Sequence, residues 1–109
     1  MARVLLIDSG QPYLAELATS LERNRHWVKF QTPNEQLFEG LDARGTSSDI
    51  LIVDLSRDGE KDWKVLERVQ GIFELKMPAP VILGISVVYR GPQMRLRAQE
   101  LGARFCYVR

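Results

Sequence analysis

The sequence predicts an α/β fold in which five parallel strands form an open, doubly wound sheet. Two observations carry this. Short apolar runs alternate along the chain with amphipathic stretches at helical spacing. The runs themselves, Val4-Leu5-Leu6-Ile7 and Ile50-Leu51-Ile52-Val53 above all, are nearly continuous, as strands covered on both faces require. Right-handed crossovers then direct any ligand to the rim beyond the carboxyl ends of the strands.

The elements follow in order. Arg3 to Ile7 is too short for a helix and rich in strand formers. Pro12 to Arg23 sets Leu14, Leu17, Ala18 and Leu21 at helical spacing. Trp27 to Gln31 alternates Val28 and Phe30 with Lys29 and Gln31, a half-exposed strand. Thr32-Pro33-Asn34-Glu35 reads as a helix start, with Thr32 as N-cap, Pro33 in the first helical position and Glu35 closing a capping box. Leu37, Phe38 and Leu41 follow, and Gly45 is the stop. Ile50 to Leu55 is a third strand. Glu60 to Lys76 carries Trp63, Leu66, Val69 and Phe73 on one stripe, with Val65 and Ile72 on its flanks. Pro78-Ala79-Pro80 breaks the chain before a buried strand over Val81 to Ile85. A helix over Gln93 to Leu101 ends at Gly102 and delivers Arg104 to Val108 as the fifth strand.

Composition narrows the class. The 109 residues are 45% hydrophobic and 27% charged, ordinary for a globular domain, and they suit one domain over residues 1–109. A formal net charge of +1 argues against tight non-specific binding to nucleic acid by the domain as a whole. The single cysteine, Cys106, excludes an internal disulfide or a cysteine-based zinc site and is compatible with the cytoplasm. No apolar run approaches the roughly 20 residues that span a bilayer, and Met-Ala-Arg before a strand is not a signal-peptide layout.

The carboxyl rim directs attention to Asp8, which ends the first strand, and Asp54, which lies near the end of the third. With those strands adjacent, the two carboxylates converge. A pair of this kind can hold a hard divalent cation such as Mg²⁺, and one member can attack a phosphoryl group. Alternatively, Asp8 caps the turn into the first helix and Asp54 hydrogen-bonds a neighbouring loop.

The stretches Val4-Leu5-Leu6-Ile7-Asp8, Asp49-Ile50-Leu51-Ile52-Val53-Asp54-Leu55, Pro80-Val81-Ile82-Leu83 and Leu101-Gly102-Ala103 together resemble a response-regulator receiver domain of two-component signalling. Trp63-Lys64-Val65-Leu66-Glu67-Arg68-Val69 is similar to the helix that follows the phosphoacceptor loop in that family. The resemblance spans essentially the whole chain. It implies a flavodoxin-like strand order 2-1-3-4-5 and makes Asp54 the counterpart of the aspartate that takes phosphate from a histidine kinase. Asp8 then matches one of the family's acid pair, and Ser9 stands where the second acid would contact metal, an uncharged and weaker ligand. The backbone carbonyl of Ser56 can also reach a cation. The family's serine or threonine at the end of the fourth strand aligns with Ile85, so Ser86 serves only if that strand end shifts by one residue. The family's lysine falls on Arg109, which keeps the charge in a planar fork. The family's aromatic switch position falls on Cys106, and Tyr107 faces the other way.

Other candidates have plainer readings. His26, the only histidine, has no metal-binding neighbours in sequence and suits a satisfied position before the second strand. Cys106 is expected to pack inertly on an apolar strand, and Trp63 to anchor the core while partly exposed. Asp8-Ser9-Gly10-Gln11-Pro12 has one glycine, too few for a dinucleotide loop, which leaves a flavodoxin-like ligand-binding domain as the weakest of the functional readings.

Charge is uneven. Residues 1–89 hold ten basic and thirteen acidic side chains, whereas residues 90–109 hold five basic and one acidic. Arg90, Arg95, Arg97, Arg104 and Arg109 therefore gather on the fourth helix and fifth strand. The resemblance makes that side a surface for homodimerisation or partner docking; a solvated basic helix face is the alternative.

Two functions follow. One is an atypical receiver that accepts phosphate at Asp54 from a histidine kinase or phosphotransfer protein, aided by Mg²⁺, Ser86 and Arg109, and controls a linked output such as transcription. The other is a pseudo-receiver, a protein-interaction module independent of phosphorylation. Neither is an enzyme beyond self-phosphorylation, and neither binds nucleic acid directly or enters a membrane. The resemblance also implies a fifth helix after the last strand. The sequence stops at Arg109, directly after the fifth strand. It is therefore expected to be a fragment cut from a longer regulator, without that helix and an output domain, or else a partner surface such as a second copy is expected to replace the helix. Apolar side chains of the fourth and fifth strands are then expected to be uncovered.

Overall fold

Valine, leucine and isoleucine dominate the inner strands because a sheet packed on both faces leaves no side for polar groups. In the computed structural model, which describes residues 1–7, 10–56, 59–88 and 90–108, these runs form the centre of the molecule. The elements are β1 (Arg3–Ile7), α1 (Tyr13–Arg23), β2 (Trp27–Gln31), α2 (Glu35–Arg44), β3 (Ile50–Asp54), α3 (Gly59–Phe73), β4 (Val81–Ser86), α4 (Gln93–Glu100) and β5 (Arg104–Tyr107). The sheet is parallel throughout, in the order β2-β1-β3-β4-β5, as predicted.

Register decides which side chains face which layer. Leu5 pairs with Leu51, Ile7 with Val53, and Gly84 with Phe105. The side chains of Leu5, Ile7, Leu51, Val53 and Phe105 join one core with Phe38 and Leu41 of α2, Trp63, Leu66, Val69 and Phe73 of α3, and Met94 and Ala98 of α4. The opposite face carries Val4, Leu6, Ile52 and Ile85 against Leu14 and Ala18 of α1. Three helices thus cover one face and α1 the other, among the described residues. Leu83 and Val108, on the α1 face of the β4–β5 side, are partly buried.

Local chemistry sets the ends of the elements. Asn34, not Thr32, caps α2: its Oδ1 accepts the Leu37 N–H at 2.8 Å, so the capping box expected at Thr32 and Glu35 does not form. Gly45 ends the helix at a φ of 70°. α4 closes in a Schellman turn, with the Ala103 N–H on the Ala98 carbonyl, the Gly102 N–H on the Gln99 carbonyl and Gly102 in the left-handed region. α1 ends the same way with Arg25 in that position, at a φ of 64°.

At the amino ends of the strands, His26 Nδ1 accepts the Ala2 N–H at 3.0 Å, which is the satisfied position expected of it. The Trp27 N–H then bonds the Ala2 carbonyl, and Asp49 accepts the Arg3 N–H through its carboxylate. Trp63 is more buried than expected, at 5% exposure, because the Arg97 guanidinium of α4 lies 4.8 Å from its ring centroid and covers the outer side. Cys106 corrects the expectation in the other direction: it is exposed. Its neighbour Phe105 takes the core position, and Cys106 points to the α1 face at the sheet edge farthest from α1.

Candidate functional site

Asp54 closes β3, the central strand, opposite Ile85 of β4. It is 2% exposed. A carboxylate so placed needs donors, and two reach the same oxygen. The Tyr13 phenol, on the first residue of α1, donates to Oδ1 at 2.5 Å, and the Ser56 N–H donates to it at 3.0 Å. Ser56 Oγ lies 3.3 Å from the phenol oxygen and accepts the Val87 N–H at 2.9 Å. A connected polar path therefore runs from α1 through the end of β3 to the segment after β4. Burial first, and then the hydrogen bond to the Asp54 carboxylate, hold the Tyr13 phenol well above the usual range, so it stays a donor at any physiological pH.

Ser86 is fully buried at the last position of β4. It pairs in regular register with Tyr107, and Ile85 is the residue opposite Asp54, so the one-residue shift that would bring Ser86 there does not occur. Its hydroxyl donates to the Val88 carbonyl at 2.7 Å and accepts the Val88 N–H at 3.0 Å. That local turn uses the hydroxyl. Asp8, Ser9 and Arg109 lie outside the described residues.

The Asp54 carboxylate described at this rim is a hard oxygen donor of the kind Mg²⁺ prefers. Among the described residues no three His, Cys, Asp or Glu side chains come together. The partner acid inferred from the sequence, Asp8, is not among them.

Two residues of the site escaped the sequence reading. Tyr13 is one: a tyrosine opening a helix looks like part of its apolar stripe, and only the approach of α1 to β3 sends its hydroxyl to Asp54. The other is Asp62, a buried acid in the first turn of α3 whose charge reaches Tyr13. An acid among the first residues of a helix is usually an exposed partner of the helix dipole, so its type gave no sign of burial.

On the basic side, Arg97 Nη1 and Nη2 meet the Glu60 carboxylate at 2.9 and 3.1 Å. The Arg95 guanidinium stands 6.0 Å from the Phe105 ring centroid. Both arginines are partly engaged within the fold.

No family model matches the sequence, and no curated protein matches it. Solved structures do. A response regulator from Thermotoga maritima superimposes with a TM-score of 0.74 at 19% identity, over 99% of this chain and 83% of that one. A response regulator from Burkholderia pseudomallei, solved with a phosphorylated aspartic acid, calcium ion and citrate, gives 0.70 at 20% identity, over 98% of this chain and 58% of that one. The chemotaxis protein CheY4 of Vibrio cholerae gives 0.68 at 19% identity, over 99% and 85%. At these identities the likeness speaks to architecture: five parallel strands in the order 2-1-3-4-5 give this chain the flavodoxin-like fold of response-regulator receiver domains.

Proposed function

We propose that this chain is a receiver-type relay domain of two-component signalling, acting in the cytoplasm, with Asp54 as its phosphoacceptor. The observation that carries the reading is a buried carboxylate at the carboxyl end of the central strand of a receiver fold. An Asp54 oxygen forms a bond to the phosphorus of a phosphohistidine on a histidine kinase or phosphotransfer protein. The P–N bond breaks, the imidazole keeps the electron pair, and an acyl phosphate remains. A divalent cation held by Asp8, Asp54 and the Ser56 carbonyl would offset the charge that gathers there. Arg109, and Ser86 if its turn to Val88 opens, would face the product.

The phosphorylated state would be read by a linked output or a second copy through α4 and β5, where the basic side chains gather. Regulation of transcription is one such output.

A second reading has its own support. Asp54 Oδ1 already holds two donors, and the Ser86 hydroxyl is committed to Val88. This favours a module that binds partners without phosphorylation.

The two readings separate on one measurement. The protein is incubated with millimolar Mg²⁺ and acetyl phosphate, and its intact mass is followed with Asp54→Asn as control. Addition of one phosphoryl group that the substitution abolishes supports the relay reading. An unchanged mass overturns it and leaves the interaction module.

A further inference from the structure

We infer that Tyr13 is a positioning residue that restrains Asp54, so that phosphoryl transfer needs the phenol to leave the carboxylate. The inference rests on Asp54 as phosphoacceptor and concerns the control of that same site.

A carboxylate oxygen offers two lone-pair directions. On Oδ1 both are used, by the phenol at 2.5 Å and by the Ser56 amide at 3.0 Å. The amide is fixed, because Ser56 follows β3 by two residues and its own hydroxyl is held by the Val87 N–H. The phenol is the removable donor. It sits at the end of a side chain on the first residue of α1, and Pro12, in the N-cap position, makes no side-chain capping bond there.

Two effects act in the same direction. A donated hydrogen bond stabilises the charge on the carboxylate and lowers its power as a nucleophile. The ring also occupies space at the rim that the oxygens of an incoming phosphoryl group require. Departure of the phenol removes both, and it also frees Ser56 Oγ from its 3.3 Å neighbour, next to the segment that leads into α4.

The test compares the wild type with Tyr13→Phe, which keeps the ring and removes the hydroxyl, and Tyr13→Leu, which removes both. Each is treated with Mg²⁺ and acetyl phosphate: an Asp54 oxygen bonds phosphorus, the P–O bond to the acetyl group breaks, and acetate departs with the electron pair. Thermal melting by circular dichroism verifies that each variant is folded. Loss of a hydrogen bond to a charged group predicts labelling roughly tenfold faster in Tyr13→Phe and faster again in Tyr13→Leu, with none in Asp54→Asn. Equal rates in wild type and Tyr13→Phe overturn the restraint and leave Asp54 as phosphoacceptor. Slower labelling of Tyr13→Phe also overturns it, since the phenol would then assist the transfer. No labelling in any variant overturns the phosphoacceptor reading itself.

A second measurement uses the unaltered protein. With ring-labelled tyrosine, saturation with Mg²⁺ and beryllofluoride is expected to shift the Tyr13 carbon resonance as the phenol loses Asp54. Saturable binding of the analogue with an unmoved Tyr13 resonance overturns the inference.

Discussion

Arg97 of α4 grips Glu60 of α3 through both terminal guanidinium nitrogens, Nη1 and Nη2, at 2.9 and 3.1 Å. The same guanidinium stacks over Trp63, so one side chain joins the two helices by charge and by dispersion. Across the molecule, Arg68 does the same for α2 and α3, meeting Glu35 at 2.7 Å while lying 4.7 Å from the Phe38 ring centroid.

The hydrogen bond from Arg97 holds the Glu60 carboxyl below its ordinary range. A carboxyl depressed in the folded state lends stability above its unfolded pKa and loses it as pH falls through the folded value. The wild type is therefore expected to lose its advantage over Glu60→Gln on acidification below the usual glutamate range. The group is exposed, so the difference at neutral pH should be small and should shrink with added salt. Melting curves of both proteins across pH and ionic strength measure this.

Gly84 lies where β4 passes beneath Leu55. A Cβ there would stand 2.6 Å from Leu55 Cδ1 and 3.6 Å from Leu66 Cδ2, inside the larger core. Gly84→Ala is expected to cost about 1–3 kcal/mol by overpacking. Gly84→Val should cost more, since its added methyls also meet Leu66. Denaturant midpoints at unchanged slope would register both.

The raised Tyr13 pKa has the opposite sign from Glu60. Its contribution to stability is complete below the ordinary phenol range and is lost as pH climbs toward the folded value. Absorbance at alkaline pH should show one tyrosine ionising later than the others, together with unfolding. In Asp54→Ala that late phenol should move down toward the ordinary range, because the carboxylate acceptor is gone.

Cys106 is exposed beside buried Phe105. One thiol equivalent should react with an aromatic disulfide reagent in the native protein, without denaturant. Cys106→Ser should remove the reaction and change stability by no more than about 0.5 kcal/mol.

The strands and helices were legible because their signal is local. Val4 to Ile7 and Ile50 to Val53 admit few other conformations, and the stripe from Trp63 to Phe73 has a helical period. Gly45 and Gly102 marked true ends for the same reason. Where the sequence reading failed, the deciding partner lay elsewhere. Thr32 and Asn34 are both good caps, and the choice fell to the residue whose side-chain oxygen met the Leu37 amide. Cys106 alternates correctly with Phe105, yet its burial depended on whether a helix reaches that edge. Tyr13 carries no pattern that points to Asp54, 41 residues away in sequence. At Ser86 the hydroxyl bonds Val88 in a turn two residues on, a contact that residue type alone does not specify.

The bond from the Ala2 amide to His26 makes the first residues part of the fold, stitched to the turn that ends α1. Because every strand runs the same way, this stitching lies at the opposite rim from Asp54, a five-residue strand or about 17 Å away. A fluorophore or surface tether attached ahead of residue 1 would thus stand clear of the carboxylate. Held from that side, the molecule would turn the rim that carries Asp54 and Tyr13 away from the support, an orientation suited to watching partners arrive.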